Sequence, residues 1–217
     1  ELGKQLIASN QPEWALHEAQ TALSLNPSQP PALNTLGTVF SHAGEHEKAL
    51  QCFTRADRLL EERVGGARTL SLEWQAEFYF NMAASMQFAG HFAEAEQSYE
   101  RAIKLKPLLF KAHSALSTLR RQTPINNHLK RLHELRIKVS GPRDQLHLGH
   151  AIAKEQEDLG DYEDAFKNLT WAKQALSAAS SYSVKSDKEL FAGVRRLFSQ
   201  EIFDTQRTGC GNPEPIF

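Results

Sequence analysis

Apolar and small residues recur along much of this chain three and four apart, in paired segments separated by a polar turn. The stretch 33–59, LNTLGTVFSHAGEHEKALQCFTRADRL, predicts two amphipathic helices joined by a tight turn at Gly44. Gly37, Ala49 and Ala56 stand where two helix backbones would approach closely. Leu33, Leu36, Phe40, Leu50, Phe53 and Leu59 fill the space around them. The pattern predicts that Gly37 lets the partner helix settle against backbone, with Ala49 supplying the matching hollow.

The same pattern returns at fixed spacing. Leu2, Gly3, Leu6, Ala15 and Ala22 precede Leu36, Gly37, Phe40, Ala49 and Ala56 by 34 residues. A third copy holds Tyr79, Met82, Ala83, Gly90, Ala95, Tyr99, Ala102 and Pro107. A fourth keeps His113, Leu116 and Ser117 and then departs. A fifth holds Ile152, Ala153, Gly160, Ala165, Leu169 and Ala172. A helix pair cannot bury its apolar face alone, so stacked copies predict a continuous core.

At these residues the chain resembles the tetratricopeptide repeat (TPR) family, most specifically in GEHEKALQCFTRA, GHFAEAEQSYERAIKLKP and GDYEDAFKNL. The resemblance implies an all-α, right-handed superhelix of antiparallel helix pairs with a C-terminal capping or linker helix. The expected order is a partial repeat at 1–27, a second at 30–63 and an insertion or helix extension at 64–75. A third repeat at 76–109 and a degenerate fourth at 110–140 follow, then a fifth at 144–178. The capping or linker helix is expected at 186–204, and a tail at 205–217 would lead into a domain missing here. Gly65 and Gly66 should break the preceding helix, and Ser71 should cap a lengthened one. Ser186 and Glu189 have capping-box spacing ahead of an apolar face through Leu190, Phe191, Val194, Leu197, Phe198, Ile202 and Phe203.

Composition narrows the chemistry. Lys and Arg number 25 against 26 Asp and Glu, so no overall footprint for nucleic acid is present. The basic run Lys130, Arg131, Arg136, Lys138 reads as a solvated helix face, with a polyanion site as the alternative. No apolar run is long enough to span a membrane, and a cytoplasmic location is expected. The two cysteines, Cys52 and Cys210, have no pairing pattern. Cys52 reads as a buried hydrophobe and Cys210 as exposed but unactivated. The nine histidines include His42 with His46 and His147 with His150, but neither pair has further ligands at zinc spacing, so no metal is expected. Acid pairs such as Glu157 and Asp158 read as solvated charge. No catalytic or cofactor-binding residue is expected within the chain.

Binding is easier to place. In the TPR family the first helix of each pair lines the concave surface where peptides dock. The resemblance therefore implies an inward row of Asn34, Thr38, Ser41, Phe80, Asn81, Gln87, His150 and Lys154, with Lys4, Ala84, Ser114, Thr118 and Glu157 beside them. Polar groups there would hold a peptide backbone, with Phe80 as apolar anchor. The basic ladder that clamps a C-terminal carboxylate in some relatives is not reproduced around Asn81.

From Gln145 onward, LHLGHAIAKEQEDLGDYEDAFKNLTWAKQAL, then ELFAGVRRLFSQEIF, a glycine-containing loop and Pro215-Ile216-Phe217 resemble a junction in bacterial proteins that carry TPRs ahead of a sulfotransferase domain. That resemblance implies a parent using the donor PAPS, with its phosphate-binding loop beyond Phe217. The repeats would recruit or orient an acceptor and dock at their C-terminal end on the parent's own downstream domain. A stand-alone peptide-binding adaptor and the repeat region of a glycosyltransferase are the alternatives.

Overall fold

The computed structural model describes residues 2–62, 70–180 and 182–198, apart from the side chains at 2, 4 and 179. The chain divides at residue 176 into two units, taken separately below.

The larger unit opens with three helix pairs. They are α1 (Leu2–Ala8) with α2 (Pro12–Ser24), α3 (Pro30–His42) with α4 (His46–Glu62), and α5 (Leu72–Phe88) with α6 (Phe92–Leu105). Adjacent pairs stack through α2 on α3 and α4 on α5, and the first helices of successive pairs also touch, α1 on α3 and α3 on α5. Gly44, Gly90 and Gly160 hold left-handed backbone at the equivalent turn, with φ of 82°, 85° and 84°. Each lets the next N–H reach back five residues: Glu45 to the Phe40 carbonyl at 2.9 Å, His91 to Met86 at 2.8 Å, Asp161 to Gln156 at 2.9 Å. That bond closes the helix, and glycine adopts the conformation without a Cβ penalty. In the first pair Asn10 takes the same role at φ 56°, with Gln11 bonding back to Leu6.

Ser71 caps α5 as expected, accepting from the Trp74 N–H at 3.2 Å. The expected glycine break at Gly65 and Gly66 lies outside the described residues. Gly37 works differently from its sequence expectation. A methyl there would meet the Phe53 ring at 2.8–3.0 Å, so the missing side chain makes room for a ring rather than for backbone.

Beyond α6 the pairing becomes irregular. The short α7 (Phe110–Thr118) is followed by a connection through residue 128, α8 (Leu129–Leu135) and a 3-10 turn (Arg136–Lys138). Both α7 and α8 pack on α9 (Pro142–Leu159), which is followed by α10 (Tyr162–Ala179). One apolar cluster runs from Ala15 to Leu119, and a second gathers Phe110, Leu132, Leu135, Leu148, Ala151 and Ile152.

A polar network fastens the irregular segment. Glu155, fully buried on α9, accepts from the His128 N–H at 2.6 Å, from His128 Nδ1 at 2.7 Å and from Ser117 Oγ at 2.8 Å. Arg131 grips both oxygens of Glu100 at 2.8 and 2.9 Å. Asp158, expected to be solvated, instead accepts from the Gln122 N–H at 2.8 Å and pairs with Lys154. The basic run is likewise partly consumed, because Arg136 lies over the Trp171 ring and donates to Asn168.

The second unit contains α11 (Val184–Leu197). It starts ahead of the expected capping box. Ser186 falls inside the helix, Ser183 is the capping position, and no side-chain oxygen caps it. Leu190, Phe191, Val194 and Leu197 are exposed. The expected apolar positions Ile202 and Phe203, Cys210 and the Pro215–Phe217 segment lie outside the described residues. No described helix is long and apolar enough to cross a membrane.

Candidate functional site

The first helices of the pairs, α3, α5, α7 and α9, carry the row of residues that the family resemblance implied would face inward. Helical spacing aligns Asn34, Thr38 and Ser41 on α3 and Phe80, Asn81, Ala84 and Gln87 on α5. Side chains from the two helices meet: Asn81 Nδ2 donates to Asn34 Oδ1 at 3.4 Å, and Ser85 Oγ donates to Ser41 Oγ at 2.8 Å. Thr38 spends its hydroxyl on the Asn34 carbonyl, and Gln87 accepts from Tyr99 Oη at 2.9 Å. Phe80 packs on Tyr99 and lies under the Lys111 ammonium, 4.3 Å from its ring centre. Much of the hydrogen-bonding capacity at α3 and α5 is therefore engaged within the fold. Asn34 and Asn81 retain spare capacity, since an amide side chain offers two donors and two acceptor lone pairs. The side chain of Lys4 lies outside those described.

The open part of the row lies further along the chain. Ser114 and Thr118 of α7 face His150, Lys154 and Glu157 of α9 across a cleft of about 460 Å³. Its far wall comes from α10: Tyr162, Ala165, Phe166 and Leu169. Tyr162 and Phe166 are 68% and 72% exposed and present large apolar surface. Lys154 is held by Asp158, whose carboxyl sits below its ordinary value. Burial pushes that carboxyl up, and the bonds from Lys154 and the Gln122 N–H outweigh it. The structure thus brings His150 and Lys154 together with Ser114, Thr118 and Glu157, while Asn34, Thr38 and Ser41 adjoin α5. Tyr162 and Phe166 belong to the second helix of their pair and were not among the sequence candidates. The signal for them is an aromatic pair four residues apart directly after the turn at Gly160.

The cleft's polar groups are the Ser114 and Thr118 hydroxyls, the His150 imidazole, the Lys154 ammonium and the Glu157 carboxylate, beside the Tyr162 and Phe166 rings. Cys52 is buried, and burial pushes its thiol up to about 11, with Arg55 pulling the other way, so it is not a nucleophile at neutral pH. Among the described residues no group of His, Cys, Asp and Glu is placed to hold a metal ion.

Residues 76–109 match the family model described as tetratricopeptide repeat. Solved structures align over most of the chain. A crystal structure of MamA gives a TM-score of 0.56 at 16% identity, covering 84% of this chain and 98% of that one. A Podosopora anserina protein of nearly identical TPR-like repeats gives 0.63 at 12% identity, covering 84% and 95%. No curated protein matches by sequence. At these identities the likeness is one of fold. With the repeated helix pairs and the shared turn glycines, the chain folds as an all-α solenoid of TPR-like helix pairs, and residues 76–109 form a tetratricopeptide repeat.

Proposed function

We propose that this chain is a protein-interaction module whose cleft between α7, α9 and α10 docks an extended polypeptide segment. TPRs generally bind proteins or peptides. The observation that carries the reading is the combination, in one cleft, of two exposed aromatic rings with hydroxyl, imidazole and ammonium groups. Aromatic rings supply buried area at low entropic cost, and the polar groups fix the segment's register. Asn34 and Asn81, further along the row, extend the same surface toward the start of the chain. The test starts from a random peptide library displayed against the chain. The selected peptides should lose affinity on the order of ten-fold or more when Phe166→Ala and Tyr162→Ala are combined. Peptides that bind the double variant as well as the parent would overturn the assignment.

The finer reading is that the parent is a PAPS-dependent sulfotransferase whose catalytic domain follows residue 217, with the repeats presenting its acceptor. Its support is the order of segments from Gln145 onward. A stand-alone adaptor accounts equally for the repeats. The sequence following Phe217 in the parent gene decides between them. A loop of glycine, arginine, serine and threonine at a strand-to-helix junction supports the sulfotransferase, and any other continuation removes it.

A further inference from the structure

A second cleft, about 520 Å³, opens beside the first turns of α7 and α9. Four cations enter it from four segments: Lys106 from the α6–α7 connection, Lys111 from α7, Lys138 from the 3-10 turn and Arg143 from α9. His147 stands one turn further along α9. Against them are two carboxylates, and one of these, Glu77, is already paired with Lys111. Among the described residues Lys106, Lys138 and Arg143 form no ion pair. Neither α7 nor α9 has a side-chain cap; the first turn of α7 carries no acid and that of α9 carries Asp144, while the Phe110 and Ala112 N–H groups of α7 go to the Leu108 and Leu109 carbonyls. The positive end of the α7 dipole adds to the charge beside the cleft, and Asp144 offsets that of α9.

Burial leads in holding the His147 imidazole below its ordinary value. Asp144 opposes that shift, and Lys111, His150 and Arg143 add to it. Like charges crowded into one concavity repel, and a bound anion relieves the repulsion. With Lys111 held by Glu77, the remaining cations Lys106, Lys138 and Arg143 outnumber the one other carboxylate, Asp144. A tetrahedral dianion matches them, with Arg143 able to donate two parallel bonds.

We propose that this cleft binds a tetrahedral oxyanion of the phosphate type, either free or carried on a polypeptide side chain. The site does not depend on the peptide reading of the neighbouring cleft, and inorganic phosphate tests it without any peptide. Amide shifts of the full chain are followed as phosphate is titrated at constant ionic strength, with chloride as control. Saturable shifts should centre on residues 106–111 and 138–147. The double variant Lys106→Gln/Arg143→Gln should weaken binding on the order of ten-fold with its thermal midpoint unchanged. Lys138→Gln, on a separate segment, should weaken it independently. Shifts spread over the whole surface, or an unchanged affinity in both variants, would overturn the site. A peptide with one phosphoserine and its unphosphorylated twin then separate the sources. Binding tighter than inorganic phosphate identifies a polypeptide-borne group, and equal binding identifies the free anion.

Discussion

Gly149 of α9 and Ala172 of α10 meet so closely that a methyl group on Gly149 would lie 2.4 Å from the Ala172 Cβ. It would also lie 3.0 Å from the Ala172 Cα and 3.1 Å from the Asn168 carbonyl, so backbone would have to move. Gly149→Ala should therefore cost about 1–3 kcal/mol. For a chain of this size that lowers the thermal midpoint by roughly 2–4 °C per kcal/mol. Gly37→Ala should cost less, because it meets a ring that can tilt. Circular-dichroism melts of the two variants check the order.

Ala49, fully buried on α4, tests the stacking of α3 on α4. Ala49→Leu should overpack that contact and lower stability by about 1–3 kcal/mol in the same melts. An unchanged midpoint would contradict the helix-pair assignment.

The cap on α5 gives a local test. Ser71→Ala removes the acceptor facing the Trp74 N–H and should cost about 1 kcal/mol, while Ser71→Asp restores an acceptor and most of the stability. Chemical denaturation of the pair measures it.

Acid should destabilise the chain in two stages. Burial lowers the His113 imidazole below its ordinary 6.5, against the bond to the Pro107 carbonyl. The unfolded chain therefore takes up a proton that the folded chain resists. This contribution is complete above 6.5 and is lost as the pH falls from there to the folded value. Glu155 follows at lower pH. Burial pushes its carboxyl up, but the bonds from His128 and Ser117 bring it below 4.5. Its contribution stands above 4.5 and is lost as the pH falls through the folded value. Urea melts across pH should lose the first stage in His113→Asn and the second in Glu155→Gln.

The repeat frame was legible because a few positions tolerate few residues. The turn glycines take left-handed backbone, and Ala49, Ala95 and Ala102 are fully buried small residues. The irregular fourth repeat was legible only as helical spacing at Leu129, Leu132 and Leu135. Its seating depends on Glu155 with His128 and Ser117, which lie 27 and 38 residues before it along the chain and meet it only in the fold. Asp158 was misread for the same reason, since its partner Gln122 is 36 residues away. Five residues lining the cleft, Ser114, Thr118, His150, Lys154 and Glu157, were among those the family resemblance implied. Tyr162 and Phe166 were not, because they stand on the second helix of their pair. The cationic cleft escaped because Lys106, Lys138 and Arg143 converge from separate segments, and the run containing Lys138 reads as one solvated face.

The most direct test of the docking cleft is amide-shift mapping of the chain with a library-selected peptide. Shifts should concentrate on residues around Ser114, Thr118, His150, Tyr162 and Phe166. Shifts centred instead on Gln51, Thr54 and Arg58 of α4, with none at α9 and α10, would contradict the account.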